Sequence, residues 1–297
     1  MKLPSKKYLF AAGFVLLMIA VYVIFSLSRE PYYKGQPLSY WLVQCARVSD
    51  VRGSDEDPRS HAAIMHFGTN SIPWLLKYVN YQPPAWWYSD SGWSHLLRRI
   101  DYFGEAVGEK QTRALGAQRA FEALGPRAAG AIPELNRLIA GLSTNDTPHA
   151  VFALAGIGEL ALPSLCAALT NRQLQCRGVV GVAIASLGTN ARPALPLLLQ
   201  CAQEPNQNAA GGAIYALGKL HCEPDLVIPV ILARLNDPQL YTRANAVTAL
   251  GAFGARASNA IPALINALND SDPRVAGRAQ KAILNIDSNA LARLKTP

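Results

Sequence analysis

The sequence lacks the side-chain patterns with which most proteins bind metals or perform catalysis. Its histidines are scattered, and even the two nearest, His61 and His66, do not share one face of a helix. Its cysteines form no CxxC pair and no Cys/His pair at zinc-ligand spacing. Nucleophile motifs, a P-loop and a dinucleotide fingerprint are missing as well. We therefore expect no catalytic residue, no cofactor and no metal.

Charge and aromatic residues are also sparse. Charged residues make up 16% of the chain, and its formal net charge of +8 contains no basic run interleaved with aromatic residues. This pattern is typical of a solvated surface and predicts no nucleic-acid partner. Aromatic residues make up 8% and apolar residues 50%, with many alanines and leucines, which favours small-residue helices over a β-sandwich. The sequence predicts an all-α protein.

The five cysteines leave two interpretations open. Because they are small and apolar, they can all be core residues. In an oxidising compartment two of them can instead form one disulfide, and their odd number would leave at least one thiol unpaired. The residues concerned are Cys45, Cys166, Cys176, Cys201 and Cys222.

Residues 8–27 are uncharged, and at about 1.5 Å per residue a helix of this length spans the hydrocarbon layer of a membrane, about 30 Å. Three lysines within residues 1–7 precede the segment, so the positive-inside bias places 1–7 in the cytoplasm and the rest of the chain outside. Small residues at Ser26 and Ser28 permit the alternative, a cleaved signal peptide and a secreted protein. We expect an uncleaved anchor.

The rest of the chain divides into segments at its turn and loop signals and at changes in composition. Residues 28–57 are predicted to be a linker with a capping helix, 58–79 a first helical hairpin, and 80–112 an insert. Trp86 and Trp87 make this insert rich in aromatic residues, and it is interpreted either as a hydrophobic plug or as a surface facing a partner or a membrane. An uninterrupted repeat array follows at 113–287, with a tail at 288–297.

The array repeats one helical hairpin, seen most completely at residues 236–270. Asp237 and Pro238 are typical of a helix start, Gly254 ends that first helix near Phe253, and Ile261 opens a second helix with an apolar stripe. The prolines that open the second helices recur with a period of about 33 residues, so neighbouring hairpins must stack to bury their stripes. The sequence predicts an α-solenoid. These prolines are Pro133, Pro163, Pro196, Pro229 and Pro262.

The recurring Asp-Pro, Arg, Ala-rich helix, Leu-Gly and Ala-Ile-Pro-x-Leu resemble HEAT repeats of the short bacterial variety over most of residues 58–287. The anchor and YKGQPLSYWL (33–42) are similar to the leader of membrane-anchored HEAT-repeat proteins of the bacterial envelope. This resemblance implies a curved solenoid whose second helices line the concave face and bind protein. HEAT-repeat hydroxylases hold iron with His-Glu dipeptides, and no histidine here precedes a glutamate.

Three pairs, each with a capping residue six positions before an arginine, predict a ladder of charge-assisted hydrogen bonds between hairpins. An ordinary cap beside an exposed arginine is the alternative. Ala210 replaces the arginine after Glu204, so the sequence predicts a broken ladder and a bendable joint there. The pairs are Asn171 with Arg177, Asp237 with Arg243, and Asp272 with Arg278.

These features predict a non-enzymatic scaffold that binds an unidentified protein on the outer side of a bacterial inner membrane. The alternatives are a HEAT-like lyase, or another ligand-handling enzyme with a concave groove, and a structural spacer. If the second helices line the concave face, their polar residues are candidate partner contacts, along with Trp86 and Trp87 of the insert. These polar residues are Glu134, Arg137, Gln200, Arg234 and Asn266.

A topology reporter fused after Pro297 tests the predicted orientation. Because positive charge precedes residues 8–27, the reporter should be active only outside the cytoplasm. Activity in the cytoplasm would contradict the prediction.

Overall fold

The computed structural model describes residues 30–47, 57–84, 101–142, 148–205 and 207–290, without the side chains of 101–106 and 207. Within these ranges the protein is all-α except for one antiparallel β-hairpin, in which β1 (Tyr32–Tyr33) pairs with β2 (Gln36–Pro37). The prediction of an all-α fold is confirmed for this part of the chain.

The β-hairpin is followed by helices that serve alternately as the first and the second helix of a helical hairpin. The first of them, α1 (Leu38–Arg47), continues directly from β2. Short 3-10 segments join the two helices of several hairpins, as at Gly188–Ala194 and Gly254–Ala260. The remaining helices are α2 (Pro58–Phe67), α3 (Ile72–Val79), α4 (Asp101–Leu124), α5 (Ile132–Ala140), α6 (His149–Gly156), α7 (Leu162–Thr170), α8 (Arg177–Ser186), α9 (Leu195–Gln203), α10 (Gln207–Leu220), α11 (Pro224–Leu232), α12 (Leu240–Ala252), α13 (Ile261–Ala267) and α14 (Pro273–Ile286).

The hairpin of α12 and α13 matches the sequence prediction with one shift. Gly254 adopts a left-handed φ of 58°, which a residue without a Cβ accepts easily, and the chain turns there into the second helix. The first helix begins at Leu240 rather than Pro238. The reason is that the Asp237 carboxylate accepts the N–H of Gln239 at 2.9 Å, which makes Asp237 and Pro238 part of a turn before the helix.

The first helices form one layer, in which neighbouring backbones touch: α4, α6, α8, α10, α12 and α14. A Cβ added to Gly251 of α12 would lie 2.8 Å from the Cα of Ala282 in α14, closer than real Cβ atoms come to other atoms. A Cβ on Gly212 of α10 would overlap the carbonyl group of Gly178 in α8. Glycine therefore allows these helices to approach one another more closely than larger residues would permit.

The second helices, α3, α5, α7, α9, α11 and α13, form a looser layer. A gap of about 420 Å³ separates α5 from α7, and Asn136 bridges it by donating a hydrogen bond to Ser164 at 2.9 Å. Since neighbouring helices are closer together in the first layer, the stack curves toward the first layer. The expectation that the second helices line the concave face is therefore wrong, and the physical reason is that the interhelical glycines lie on the first helices.

One apolar core runs between the layers along the described array. It contains Phe121, Leu154, Ile184, Ile214 and Leu250, all fully buried. Each hairpin supplies residues to this core, as expected for repeats that cannot bury their apolar stripes alone.

At the N-terminal end, α1 packs along α4, where a Cβ on Gly116 would overlap the Leu42 carbonyl group. Helix α4 starts at Asp101, so it overlaps the predicted insert at 80–112. Trp86 and Trp87 of that insert lie outside the described residues.

Among the described residues, no helix combines the length and apolar character needed to cross a membrane. The predicted anchor at 8–27 lies outside them.

Substitution of Gly212 by alanine tests the backbone contact between α8 and α10. Because the added methyl group would overlap the Gly178 carbonyl, we expect the variant to lose about 1 to 3 kcal/mol of unfolding free energy, a cost typical of overpacking. Urea denaturation monitored by circular dichroism measures this loss.

Gly277→Ala is the matched control, because no atom outside the adjoining backbone of its own helix lies within 4 Å of the position of its added Cβ. This variant should be neutral or more stable by up to about 1 kcal/mol, since alanine favours helix over glycine. Equal effects of the two substitutions would contradict the close approach of α8 and α10.

Candidate functional site

A groove of about 570 Å³ crosses the first-helix layer from α6 to α12. Its lining includes Gly178, Gly211 and Gly212. Phe152 lies toward the α6 end, and Tyr241, 66% exposed, toward the α12 end. Glycine thus contributes both to the close packing of α8 against α10 and to the lining of this groove.

Amide side chains border the groove. Asn245 donates to the Gly211 carbonyl at 2.9 Å, and Gln239 donates to the Asn208 side chain at 3.4 Å. Within the described part of the chain, the Asn245 side-chain oxygen and the Asn208 side-chain nitrogen make no hydrogen bond. The oxygen can accept a hydrogen bond from a ligand and the nitrogen can donate one. A peptide backbone presents both a donor and an acceptor, so it can pair with these two atoms.

None of the groove's lining side chains is an acid, a lysine, an arginine or a histidine. His149 is next to the lining residue Pro148, but its Nδ1 is 3.0 Å from the Gln118 side chain. Burial lowers the pKa of His149 to about 4, so its ring is neutral at physiological pH. This side chain packs α6 against α4, and the groove lining offers no acid–base pair.

The polar residues predicted to contact a partner lie on the second-helix layer. Arg137 and Glu134 pair with each other on α5, with Nε and Oε2 2.9 Å apart. Gln200 on α9 and Asn266 on α13 are exposed at the register position that Arg137 occupies on α5. None of these four lines the groove across the first-helix layer, and a role for them in binding stays a prediction.

Arginines do bridge neighbouring hairpins, but with acids of the following repeat. Arg177 is 1% exposed; it donates to the Leu169 carbonyl at 2.6 Å and to both carboxylate oxygens of Glu204 at 2.7 and 3.0 Å. Arg243 likewise contacts both carboxylate oxygens of Asp270, at 2.8 and 2.9 Å, and the Asp237 carbonyl at 3.0 Å. These bonds hold the pKa values of Glu204 and Asp270 below their ordinary range.

Of the three predicted pairs, Asp237 and Arg243 are in contact, through the Asp237 carbonyl, while Arg177 and Arg278 bind other partners. Asn171 accepts the N–H of Gln173, and Asp272 accepts the N–H of Arg274, so both side chains cap turns or helices. Arg278 in the last described helix donates to Thr248 at 3.2 Å. Six-residue spacing identified Arg177 and Arg243, but it could not show that their acids, Glu204 and Asp270, lie 27 residues further along the chain, across a hairpin.

The prediction of a broken ladder at Ala210 is wrong, because Arg234 supplies the missing guanidinium. It approaches from the end of α11 and donates to the Asp237 carboxylate at 3.2 Å and to the Glu204 carbonyl at 3.1 Å. Arg243 binds the equivalent two groups one repeat later. Arg234, predicted as a partner contact, is thus engaged within the protein.

The groove itself was not predicted from the sequence. Its signal was present in the glycines of α8 and α10 and in the amides Asn208 and Asn245. It was missed because the second helices were expected to face inward.

The fold defines an α-solenoid of stacked helical hairpins. Residues 228–296 match the family model of HEAT repeats, so this part of the chain is similar to that family. The prediction from the repeat pattern is confirmed to this extent.

None of the curated proteins matches the chain significantly. Similar solved structures include an engineered protein, with 16% identity and a TM-score of 0.44 over 84% of this chain and 96% of that one. A designed armadillo repeat protein has 17% identity and a TM-score of 0.41 over 73% and 100%. The complex of CpcE and CpcF of phycocyanin lyase from Nostoc has 19% and 0.37 over 86% and 97%. These scores support no conclusion about function.

Replacement of Arg177 by methionine tests the buried bridge. Because Glu204 would keep a largely buried charge without its partner, we expect a loss of about 3 to 5 kcal/mol of unfolding free energy at neutral pH. Arg192→Met is the control, since its pair with Glu223 is exposed and should contribute at most about 1 kcal/mol. Urea denaturation measures both variants.

The sign of the pH dependence follows from the lowered pKa of Glu204. The stability that Arg177 provides is complete above the ordinary pKa of a glutamate and is lost as the pH falls through the lowered value. The difference between the native chain and Arg177→Met should therefore shrink in acid. A difference that does not change with pH would contradict the bridge.

Proposed function

We propose that this protein is a membrane-anchored, non-enzymatic scaffold that holds an extended, uncharged protein segment in the groove of its first-helix layer. The observation that carries the proposal is the groove itself, which is open, bordered by amides and lined by no charged side chain in a chain of net charge +8. A charged partner segment would lose hydration there without gaining an ion pair.

The groove's dimensions support an extended segment. It crosses α6, α8, α10 and α12, and with about 8 to 10 Å between neighbouring helix axes its length is about 24 to 30 Å. An extended chain advances about 3.3 Å per residue, so about seven to nine residues fit along it. The available acceptor of Asn245 and donor of Asn208 can pair with the main chain of such a segment, and the apolar lining can accept small apolar side chains.

The alternative of a HEAT-like lyase or other ligand-handling enzyme is less well supported. The groove volume does suit a small molecule. General acid–base catalysis most often uses a histidine, an acid or a lysine, and the lining has none of these; its titratable side chains are Cys176 and Tyr241. Recognition without catalysis is the function that these residues support best.

The membrane location rests on the sequence. Residues 8–27 have the length and composition of a membrane span, and the preceding lysines favour a cytoplasmic N-terminus. The array would then face the extracytoplasmic side of a bacterial inner membrane, with the partner segment reaching it there.

Site-specific photo-crosslinking in native membranes tests the groove. A photoreactive residue at Phe152 or Tyr241 should capture one protein through a short uncharged segment that can be sequenced, whereas the same residue at Gln200 or Asn266 should not. Val179→Arg, which adds charge to a half-buried lining position, should reduce capture at least tenfold without changing the melting curve.

Gln200→Arg with Asn266→Arg is the control on the second-helix layer and should leave capture unchanged. Capture that survives Val179→Arg but is lost in this control would place the partner on the second helices. Loss only after Trp86→Ala with Trp87→Ala would place it on the insert. A captured segment rich in charge would also contradict the proposal.

A further inference from the structure

The described chain begins very close to the predicted anchor. Three peptide units separate Leu27 from Glu30, so their Cα atoms lie at most about 11 Å apart whatever the conformation between them. The headgroup layer on each side of a membrane is about 5 to 8 Å thick. If residues 8–27 span the hydrocarbon layer, as the proposed function requires, Glu30 lies within or just beside the headgroups.

Glu30 is also fixed to the array. Its carboxylate accepts the N–H of Ser39 in the first turn of α1 at 2.8 Å and the hydroxyl of Tyr78 in α3. Burial and the neighbouring Glu30 raise the pKa of Tyr78, which keeps the phenol neutral and able to donate. The Leu38 N–H donates to the Pro31 carbonyl at 2.9 Å. No flexible segment therefore separates Glu30 from the repeat helices.

The β-hairpin that follows is held just as firmly. The Trp41 indole donates to the Tyr33 carbonyl at 3.2 Å, and the Tyr33 ring packs 4.5 Å from His66 and 6.2 Å from Phe67 in α2, between ring centres. Lys34 and Gly35 form the turn, with positive φ angles of 48° and 75°. The hairpin thus projects from α1 and α2 as a rigid unit.

Side chains suited to a headgroup layer are exposed on this unit. Tyr32 is 61% exposed and Tyr40 is 42% exposed, although both are large aromatic residues. Lys34 is exposed at the tip of the hairpin. Tyrosine is enriched where membranes meet water, and a lysine there can contact lipid phosphate.

We propose that residues 30–40 form a membrane collar, which fixes the first end of the array on the lipid headgroup layer with Tyr32, Lys34 and Tyr40 in contact with lipid. The occupant of this surface is the bilayer that holds residues 8–27, because the chain length outside the collar allows no greater distance. The first end of the scaffold is consequently held at the membrane, and the groove on α6 to α12 lies further along the array.

Photo-crosslinking to lipid in the full-length, membrane-inserted chain tests the collar. Tyr32 is replaced by p-benzoylphenylalanine, the membranes are irradiated, and lipid adducts are measured by mass spectrometry. The matched control is the same replacement at Tyr241, which is 66% exposed but lies on α12. We expect at least tenfold more lipid adduct at position 32. Equal adducts at the two positions would overturn the collar.

A second variant tests the short connection. Ten Gly and Ser residues inserted between Arg29 and Glu30 should lower the adduct at position 32 to the level at 241, since the longer tether frees the hairpin from the membrane. An unchanged adduct would overturn the proposal that the connection fixes the collar.

Carbonate extraction separates failure of the collar from failure of the anchor. If carbonate released the chain from membranes, the proposals of the anchor and of the collar would both be overturned. A chain that stays in the membrane but forms no excess adduct at position 32 would overturn the collar alone, and capture in the groove is measured independently of both.

Discussion

The fold depends on direct backbone contact between successive first helices. Gly178 and Gly212 meet between α8 and α10, and Gly251 meets Ala282 between α12 and α14. Any larger residue at these glycines would push the helices apart, because the added Cβ would lie too close to the neighbouring backbone. The asymmetry between a tight first layer and a looser second layer decides the direction in which the stack curves.

The arginine bridges hold the hairpins in register once the helices are in contact. Arg177 links the Leu169 carbonyl, near the end of α7, to the Glu204 carboxylate of the following repeat. Arg243 links the Asp237 carbonyl to the Asp270 carboxylate in the same way. Arg234, just after the end of α11, makes the equivalent contacts where the repeat lacks an arginine. The guanidinium group thus recurs at the same place in the solenoid, although the arginine that carries it does not recur at the same sequence position. The carbonyl and the carboxylate need only a guanidinium group as hydrogen-bond donor.

The groove follows from the same glycines. Glycines of α8 and α10 line the depression, and amides from adjoining repeats lie at its border. A surface of this kind offers hydrogen bonds and apolar contact, and its lining has no acid, lysine, arginine or histidine. The proposed function assigns this surface to a polypeptide segment, and the proposed collar near Glu30 would fix the array relative to the membrane.

The sequence by itself determined the elements of this protein. The period of its prolines, the glycines that end first helices and the spacing of apolar residues predicted stacked hairpins, because these signals act within a few residues along the chain. Gly254 and Pro262 lie where the local pattern indicated. The start of α12 shifted from Pro238 to Leu240, since a turn formed by Asp237 competed with the helix start.

Only the tertiary structure decided which layer faces inward and which arginine serves which acid. Both depend on contacts between residues about 27 to 34 positions apart, and local periodicity carries no information about them. Arg234 shows this most clearly: its place on a second helix predicted a surface residue, yet its side chain reaches Asp237 and Glu204 and completes the bridge that Ala210 leaves open.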